Sequence, residues 1–126
     1  MRASPEKLLL RETFQIARGA RSAGIARLIV TAHGAGLPSE RLKSANLMVS
    51  ELVSNACRHG AGRIQLTVHS DENGMRAEVF DEGIGAQIVQ AEPRPERGGW
   101  GLRFVDQLSD KWGVGTDDSR VWFEVA

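Results

Sequence analysis

Three polar side chains recur at four-residue intervals in the stretch ELVSNACRHG, residues 51–60. They are Glu51, Asn55 and His59, and because an α-helix turns once in 3.6 residues, this spacing lines them up along one helix. A carboxylate can act there as a general base, and an amide oxygen is a suitable ligand for Mg²⁺. Arg58 and His59 could meet phosphate oxygens. A solvated helix flank with incidental polar residues is the structural alternative.

The same helix has an apolar face beside this polar stripe. Its members fall on the neighbouring sector of the helix rather than on the opposite one: Ala45, Val49, Leu52, Val53 and Ala56. The stripe is therefore predicted at the border between core and solvent. Polar groups are partly desolvated at such a border, which strengthens their interactions.

A second pattern, DEGIG at residues 81–85, directly follows a predicted strand. Asp81 stands where the strand ends. Gly83 and Gly85 allow a close approach of the backbone to a ligand or a positive φ. Taken alone, the pattern is more typical of a tight turn after a strand than of a binding site.

A third pattern, RGGWGL at residues 97–102, carries glycines at positions 98, 99 and 101 into the predicted start of a helix. Backbone N–H groups at a helix N-terminus form an anion site. A flexible turn with a helix cap is the alternative. The stretch is not a Walker A loop, because no Gly-Lys-Ser/Thr follows, and not a dinucleotide fingerprint, because no strand directly precedes it.

Hydrophobic periodicity predicts the elements that must position these residues. Helices are expected over about 16–33, 40–59 and 102–112, the second capped by Ser39 and the third showing Val105, Leu108 and Trp112 on one side. The strands are KLLLRETF at an edge, RIQLTVHS, MRAEVFD and RVWFEV, with a hairpin turn at Asn73-Gly74. The order β, α, α, β, β, loop, α, β predicts an α+β two-layer sandwich.

Length and composition limit the classes of protein. The 126 residues fit a single domain spanning 1–126. Lys plus Arg and Asp plus Glu both number 16, so no net charge attracts nucleic acid or an anionic membrane. Cys57 is the one cysteine, which excludes an internal disulfide. We find no signal peptide and no apolar run of the roughly 18 residues that span a bilayer, so we expect a cytoplasmic protein.

The patterns E-x-x-x-N, D-x-G-x-G and G-x-G-L, in this order, resemble the N, G1 and G2 boxes of the GHKL superfamily of ATPases and kinases. More narrowly, SELVSNACRHG, GGWGLRFVDQLSDKWGV and VWFEV resemble the bacterial anti-sigma factor and serine-protein kinase group. The resemblance covers about residues 7–126. It implies the Bergerat ATP-binding fold, a histidine-kinase-like two-layer sandwich whose sheet is mixed and mainly antiparallel.

The resemblance also implies roles for the polar stripe on the second helix. Glu51 would be the general base, and Asn55 would ligate Mg²⁺. Arg58 would lie near the phosphates of ATP, with His59 beside it.

For the two glycine patterns, the resemblance implies an adenine pocket and a phosphate loop. Asp81 would accept a hydrogen bond from the adenine amino group, and Gly83 and Gly85 would shape the pocket for the base. The phosphates would be wrapped by Gly99, Trp100, Gly101 and Leu102. Residues 86–98 would form a short ATP lid. Trp100 departs from the family pattern because it is bulky where many members have a smaller or more polar residue.

The function implied by the resemblance is that of an ATP- and Mg²⁺-dependent serine kinase acting as an anti-sigma factor. Its partners would be a sigma factor and an antagonist protein phosphorylated on serine, and a homodimer is left open. One alternative is a module that binds ATP and sequesters a partner without kinase activity, although the base at Glu51 favours an enzyme. Another is the catalytic domain of a sensor histidine kinase, for which His33 in TAHGAG is a poor phosphoacceptor.

Overall fold

The computed structural model describes residues 10–83, 101–115 and 119–126. In chain order, its elements are β1 (Leu10–Ile16), α1 (Ser22–His33), α2 (Ser39–His59), β2 (Ile64–Asp71), β3 (Gly74–Asp81), α3 (Gly101–Leu108), β4 (Lys111–Val114) and β5 (Ser119–Val125). Three helices pack on a five-stranded sheet. The predicted α+β sandwich is therefore confirmed.

The strands lie in the order β1-β2-β3-β5-β4, and each of these four pairings is antiparallel. The sheet of the described residues is therefore antiparallel throughout and not mixed, as the resemblance had implied. β2 and β3 form the predicted hairpin, in which the Asp71 carboxylate accepts hydrogen bonds from the N–H groups of Asn73 and Gly74. Gly74 adopts a φ of 154°, which a glycine tolerates. Asp81 pairs with Ile64 at the opposite end of the hairpin, so the second predicted pattern begins far from this turn.

The core lies between the helices and one face of the sheet. Strand side chains alternate between buried and partly exposed positions, as in Ile64, Leu66 and Val68 of β2, because successive residues point to opposite faces. The residues predicted for the core face of α2 are all at most 3% exposed: Ala45, Val49, Leu52, Val53 and Ala56. This packing fixes the rotation of α2 and therefore the direction of its polar stripe.

The first helix begins later than predicted. Residues up to Ile16 belong to β1, where Ile16 pairs with Ile64 and is 4% exposed. The prediction extended the helix to residue 16 because local periodicity does not show which apolar residues pair across a sheet. Within α1, Ala26 and Val30 are buried whereas Leu28 is 71% exposed. The apolar spacing thus indicated a helix without identifying its buried face.

The boundaries of the other helices also differ from the prediction. Ser39 is the first residue of α2 rather than its cap; Pro38, with φ −55° and ψ 148°, takes the capping position without a side-chain hydrogen bond. The third helix ends at Leu108 instead of residue 112. Trp112 lies in β4, a strand that the sequence analysis missed, and its indole N–H donates to Asp106.

His33 joins the end of α1 to β1. Its Nδ1 lies 2.9 Å from the Ile29 carbonyl oxygen and its Nε2 lies 2.6 Å from Glu12 Oε1. Both partners accept, so both ring nitrogens donate, which describes the protonated imidazolium. Burial lowers the pKa of His33, but the hydrogen bonds to Glu12 and Ile29 and the charge of Glu12 outweigh it and raise that pKa.

This contact predicts a pH-dependent part of the stability. Because the folded-state pKa of His33 is raised, the stabilisation is fully present below the unfolded pKa and is lost as the pH rises through the folded value. Glu12→Gln should therefore lower the free energy of unfolding by about 0.2–1 kcal/mol more near pH 6 than near pH 8.5. Urea titrations of both proteins at each pH measure this difference.

The wild type must be compared with Glu12→Gln because His69 also makes the stability depend on pH, and its effect has the opposite sign to that of His33. Burial of its ring lowers the pKa of His69, so its contribution is lost as the pH falls. Both proteins share that contribution, and it cancels in the difference between them. An effect of Glu12→Gln that is equal at the two pH values would contradict the assignment to His33.

Candidate functional site

The polar stripe on α2 passes from the interior to the surface. Glu51 is half-buried, Asn55 is 7% exposed and His59 is exposed. Arg58 donates from Nη2 to Asn55 Oδ1 at 2.8 Å. The structure thus brings Asn55 and Arg58 into contact as an amide oxygen that faces a cation. The Asn55 oxygen thus already accepts from a positively charged group, and a metal ion would have to take the place of the Arg58 guanidinium to bind it.

The donor set around Asn55 suits Mg²⁺ better than a metal held by protein alone. Among the residues that the structure describes, no group of three or more His, Cys, Asp or Glu side chains could hold a metal ion. Mg²⁺ is commonly bound by one or two protein oxygens together with substrate phosphates. A single buried amide oxygen at the end of a helix therefore fits a Mg²⁺ ion that arrives with a nucleotide.

Asp81 ends β3 as predicted and is 1% exposed. Its Oδ1 accepts the Gly83 N–H at 2.6 Å, and the Ala61 N–H lies at 3.5 Å from the same oxygen. A buried carboxylate that accepts backbone N–H groups is held in one orientation. A Cβ on Gly83 would come within 2.9 Å of Ala61 N and Asp81 Oδ1, so only glycine fits this approach without displacing its neighbours.

The turn after α2, residues 60–62, joins the stripe to Asp81. A Cβ on Gly60 would overlap the Asp81 carboxylate, and the Glu82 N–H donates to the Ala61 carbonyl at 2.8 Å. Gly60 was not among the site residues predicted from the sequence. The glycine directly after the predicted helix was a signal for it, but only the fold shows which side chain approaches it. The ends of α2 and β3 therefore form one junction.

Arg63 and Glu82 close the rim of this junction. Glu82 Oε1 accepts the Arg63 backbone N–H at 2.8 Å, and Oε2 accepts from the guanidinium at 3.2 Å. These bonds, the backbone one foremost, lower the pKa of Glu82. Gly62, between the two ends, has a φ of 68°, and a Cβ there would overlap Glu82. The start of β2 is thereby tied to the residue after Asp81.

The structure describes the last two residues of the predicted phosphate loop, Gly101 and Leu102. α3 begins at Gly101, so a glycine does lead into the start of a helix, as predicted. Leu102 is half-buried and packs against the core, and α3 contacts α2. The remaining predicted residues lie outside the described ranges: Gly85, Gly99, Trp100 and the lid at 86–98.

A cavity of about 430 Å³ lies at the other end of the sheet, beside the β2–β3 turn. His69, Arg76 and Lys111 are among its lining residues, and none of the predicted site residues is. Its carboxylates are already bonded within the protein, Asp110 to Arg41 and Glu124 to Arg76. Size alone therefore does not identify the functional site, and we place the site at the α2–β3 junction because the chemistry converges there.

Both the sequence and the fold of the chain are similar to those of known proteins. A family model described as a histidine kinase-like ATPase domain matches residues 17–124. No curated protein matches the chain. A crystal structure of the RsbU and RsbW domains of Rv1364c from Mycobacterium tuberculosis is similar, with a TM-score of 0.67 and 17% sequence identity. The match covers 92% of this chain and 31% of that chain, and at this identity it shows the fold alone.

None of the helices in the described part of the chain is long and apolar enough to cross a bilayer.

Proposed function

Because the chain belongs to the histidine kinase-like ATPase family, we propose that it binds Mg²⁺-ATP at the α2–β3 junction and phosphorylates a protein serine. The observation that carries this proposal is the buried Asp81 carboxylate, seated on the turn that ends the helix of Glu51 and Asn55. The junction thus brings together Asp81 for the adenine ring, the Asn55 oxygen for the metal and the half-buried Glu51 carboxylate for catalysis.

In the proposed base pocket, Asp81 recognises adenine. Gly83 binds Oδ1 and orients the carboxylate, so the carboxylate accepts a hydrogen bond from the exocyclic amino group of adenine. Guanine carries a carbonyl oxygen at the corresponding ring position, and two acceptors would face each other. The pocket is therefore selective for ATP over GTP.

In the proposed phosphate half, Asn55 holds the metal and Arg58 approaches the phosphates. Bound Mg²⁺ would neutralise charge on the phosphate oxygens. Arg58 donates to Asn55 Oδ1 in this structure, so its guanidinium releases that oxygen when the metal binds. Arg58 thus binds the Asn55 oxygen in the protein without metal, and the metal would replace it there.

Glu51 lies one turn before Asn55 and is proposed as the general base. Its carboxylate takes the proton of a serine hydroxyl as the serine oxygen bonds to the γ-phosphorus. The bond between that phosphorus and the bridging oxygen breaks, and ADP leaves. Half-burial supports this role because it limits competing solvation of the carboxylate.

The proposed partners are a sigma factor, which the chain would sequester, and an antagonist protein that carries the serine. The stretches SELVSNACRHG and GGWGLRFVDQLSDKWGV, which resemble the anti-sigma factor group, support this proposal. A module that binds ATP without phosphorylating a partner is the second candidate. It is favoured if ATP binds and no phosphoserine forms when the chain is incubated with labelled ATP and its co-purified proteins.

Nucleotide competition tests the base pocket. The wild type should prefer ATP to GTP, and Asp81→Asn should weaken ATP binding by roughly tenfold to a hundredfold, because an asparagine that keeps the Gly83 bond turns its NH₂ towards the adenine amino group. Glu72→Gln, which removes one negative charge in the exposed β2–β3 turn, is the matched control. Equal affinity of the wild type for both nucleotides would contradict the role of Asp81.

A further inference from the structure

Arg18, in the turn between β1 and α1, binds three backbone carbonyls that are distant in sequence. Its Nε donates to Gly62 O at 2.5 Å and its Nη1 donates to Ala56 O at 2.7 Å. A third, longer contact of 3.4 Å joins Nη1 to Cys57 O. One guanidinium therefore bridges the last turn of α2 and the turn that follows it.

Carbonyls in the last turn of a helix lack intrahelical donors, and the helix dipole makes that end negative. The Arg18 cation supplies the opposite charge, adds a second hydrogen bond to the Ala56 carbonyl and approaches the Cys57 carbonyl. No side chain of α2 itself does this for Ala56 among the described hydrogen bonds, where the other donor to this carbonyl is the Gly60 N–H. Arg18 thus stabilises the helix end from outside the helix.

The two carbonyls that Arg18 bridges lie beside the two halves of the proposed nucleotide site, the phosphate half and the base half. Ala56 directly follows Asn55, the proposed metal ligand. Gly62 belongs to the turn whose Gly60 lies against the Asp81 carboxylate. A shift of that turn relative to α2 would move the adenine acceptor relative to the metal ligand.

We propose that Arg18 is a positioning residue that fixes the distance between the phosphate half and the base half of the site. The proposal rests on the proposed nucleotide site at the α2–β3 junction. The fork of the guanidinium is essential to it, because Nε and Nη1 reach Gly62 and Ala56 at the same time. The single ammonium of a lysine reaches one carbonyl well but not both.

The experiment is calorimetric titration of the full chain with Mg²⁺-ATP and Mg²⁺-GTP, for the wild type, Arg18→Ala, Arg18→Lys and Arg21→Ala. Arg18→Ala should raise the Kd for ATP by roughly tenfold. It should also bring the ATP and GTP affinities closer together, because the Asp81 acceptor is no longer held in register. Arg18→Lys should fall between Arg18→Ala and the wild type. Arg21, an exposed arginine three residues on, is the matched control and should behave as the wild type.

Thermal unfolding of the same variants separates positioning from stability. If Arg18→Ala lowers the Tm but the folded protein keeps the wild-type Kd and the wild-type ratio of ATP to GTP affinity, Arg18 is a stabilising residue only and the proposal is overturned. If Arg18→Ala does not fold, Arg18→Lys decides in the same way. A wild type that binds neither nucleotide overturns the proposed function and the role of Arg18 together, whereas unchanged binding by both variants overturns the role of Arg18 alone.

Discussion

Glu51→Ala is expected to slow phosphate transfer by about 10²–10⁴-fold while ATP binds with nearly unchanged affinity. A general base acts mainly in the transition state, so its removal lowers the rate without removing contacts to the bound nucleotide. The measurement is formation of phosphoserine on a co-purified protein from γ-labelled ATP, together with the Kd for Mg²⁺-ATP. Half-burial of Glu51 on a helix whose apolar face is packed makes a large rearrangement in the variant unexpected.

Glu40→Ala is the matched control for Glu51→Ala. Glu40 belongs to the first turn of the same helix, is exposed and pairs only with Lys43 among the described residues. It should leave both transfer and binding at the wild-type level. If Glu51→Ala transfers phosphate normally, Glu51 is not the base, and the ATP-binding module without kinase activity becomes the better account.

Asn55→Ala should weaken Mg²⁺-ATP binding by about 100-fold, because even the outer-shell partners of bound metals commonly cost 10–100-fold when removed. Turnover should fall with affinity, since the metal serves both. The change also removes the acceptor of Arg58, so the guanidinium loses its present orientation. Titration with ATP at several Mg²⁺ concentrations should show that the Mg²⁺ dependence of binding is largely lost.

Two further variants serve as controls for Asn55→Ala. Asn46→Ala removes an asparagine from the same helix, where Asn46 donates to Thr31, and should bind Mg²⁺-ATP as the wild type does. Asn55→Asp keeps an oxygen ligand and should retain a Mg²⁺ dependence. An Asn55→Ala variant with an unchanged Mg²⁺ dependence would show that Asn55 does not hold the metal.

The features that were predicted correctly from the sequence are those that depend on local periodicity. The core face of α2 follows from the spacing of Val49, Leu52, Val53 and Ala56, and the structure buries all four. The β2–β3 hairpin follows from strict alternation and the Asn73-Gly74 turn. The order of elements, apart from β4, then led to the confirmed two-layer sandwich.

The features that were missed depend on contacts between distant residues. Trp112 has helical spacing from Val105 and Leu108, but pairing with Phe123 of β5 places it in a strand instead. Gly60 and Arg18 belong to the site only because the end of α2 meets the end of β3. No local pattern predicts which chain segments will contact each other, so the roles of these residues could be identified only from the structure.

Each role proposed for this chain depends on binding of ATP with Mg²⁺ at the α2–β3 junction. Calorimetric titration of the wild type with ATP, with and without Mg²⁺, tests it most directly. We predict saturable binding of one ATP per chain that tightens when Mg²⁺ is present and is weakened by Asp81→Asn. The absence of binding heat in both conditions at millimolar nucleotide, from a chain shown to be folded, would contradict it.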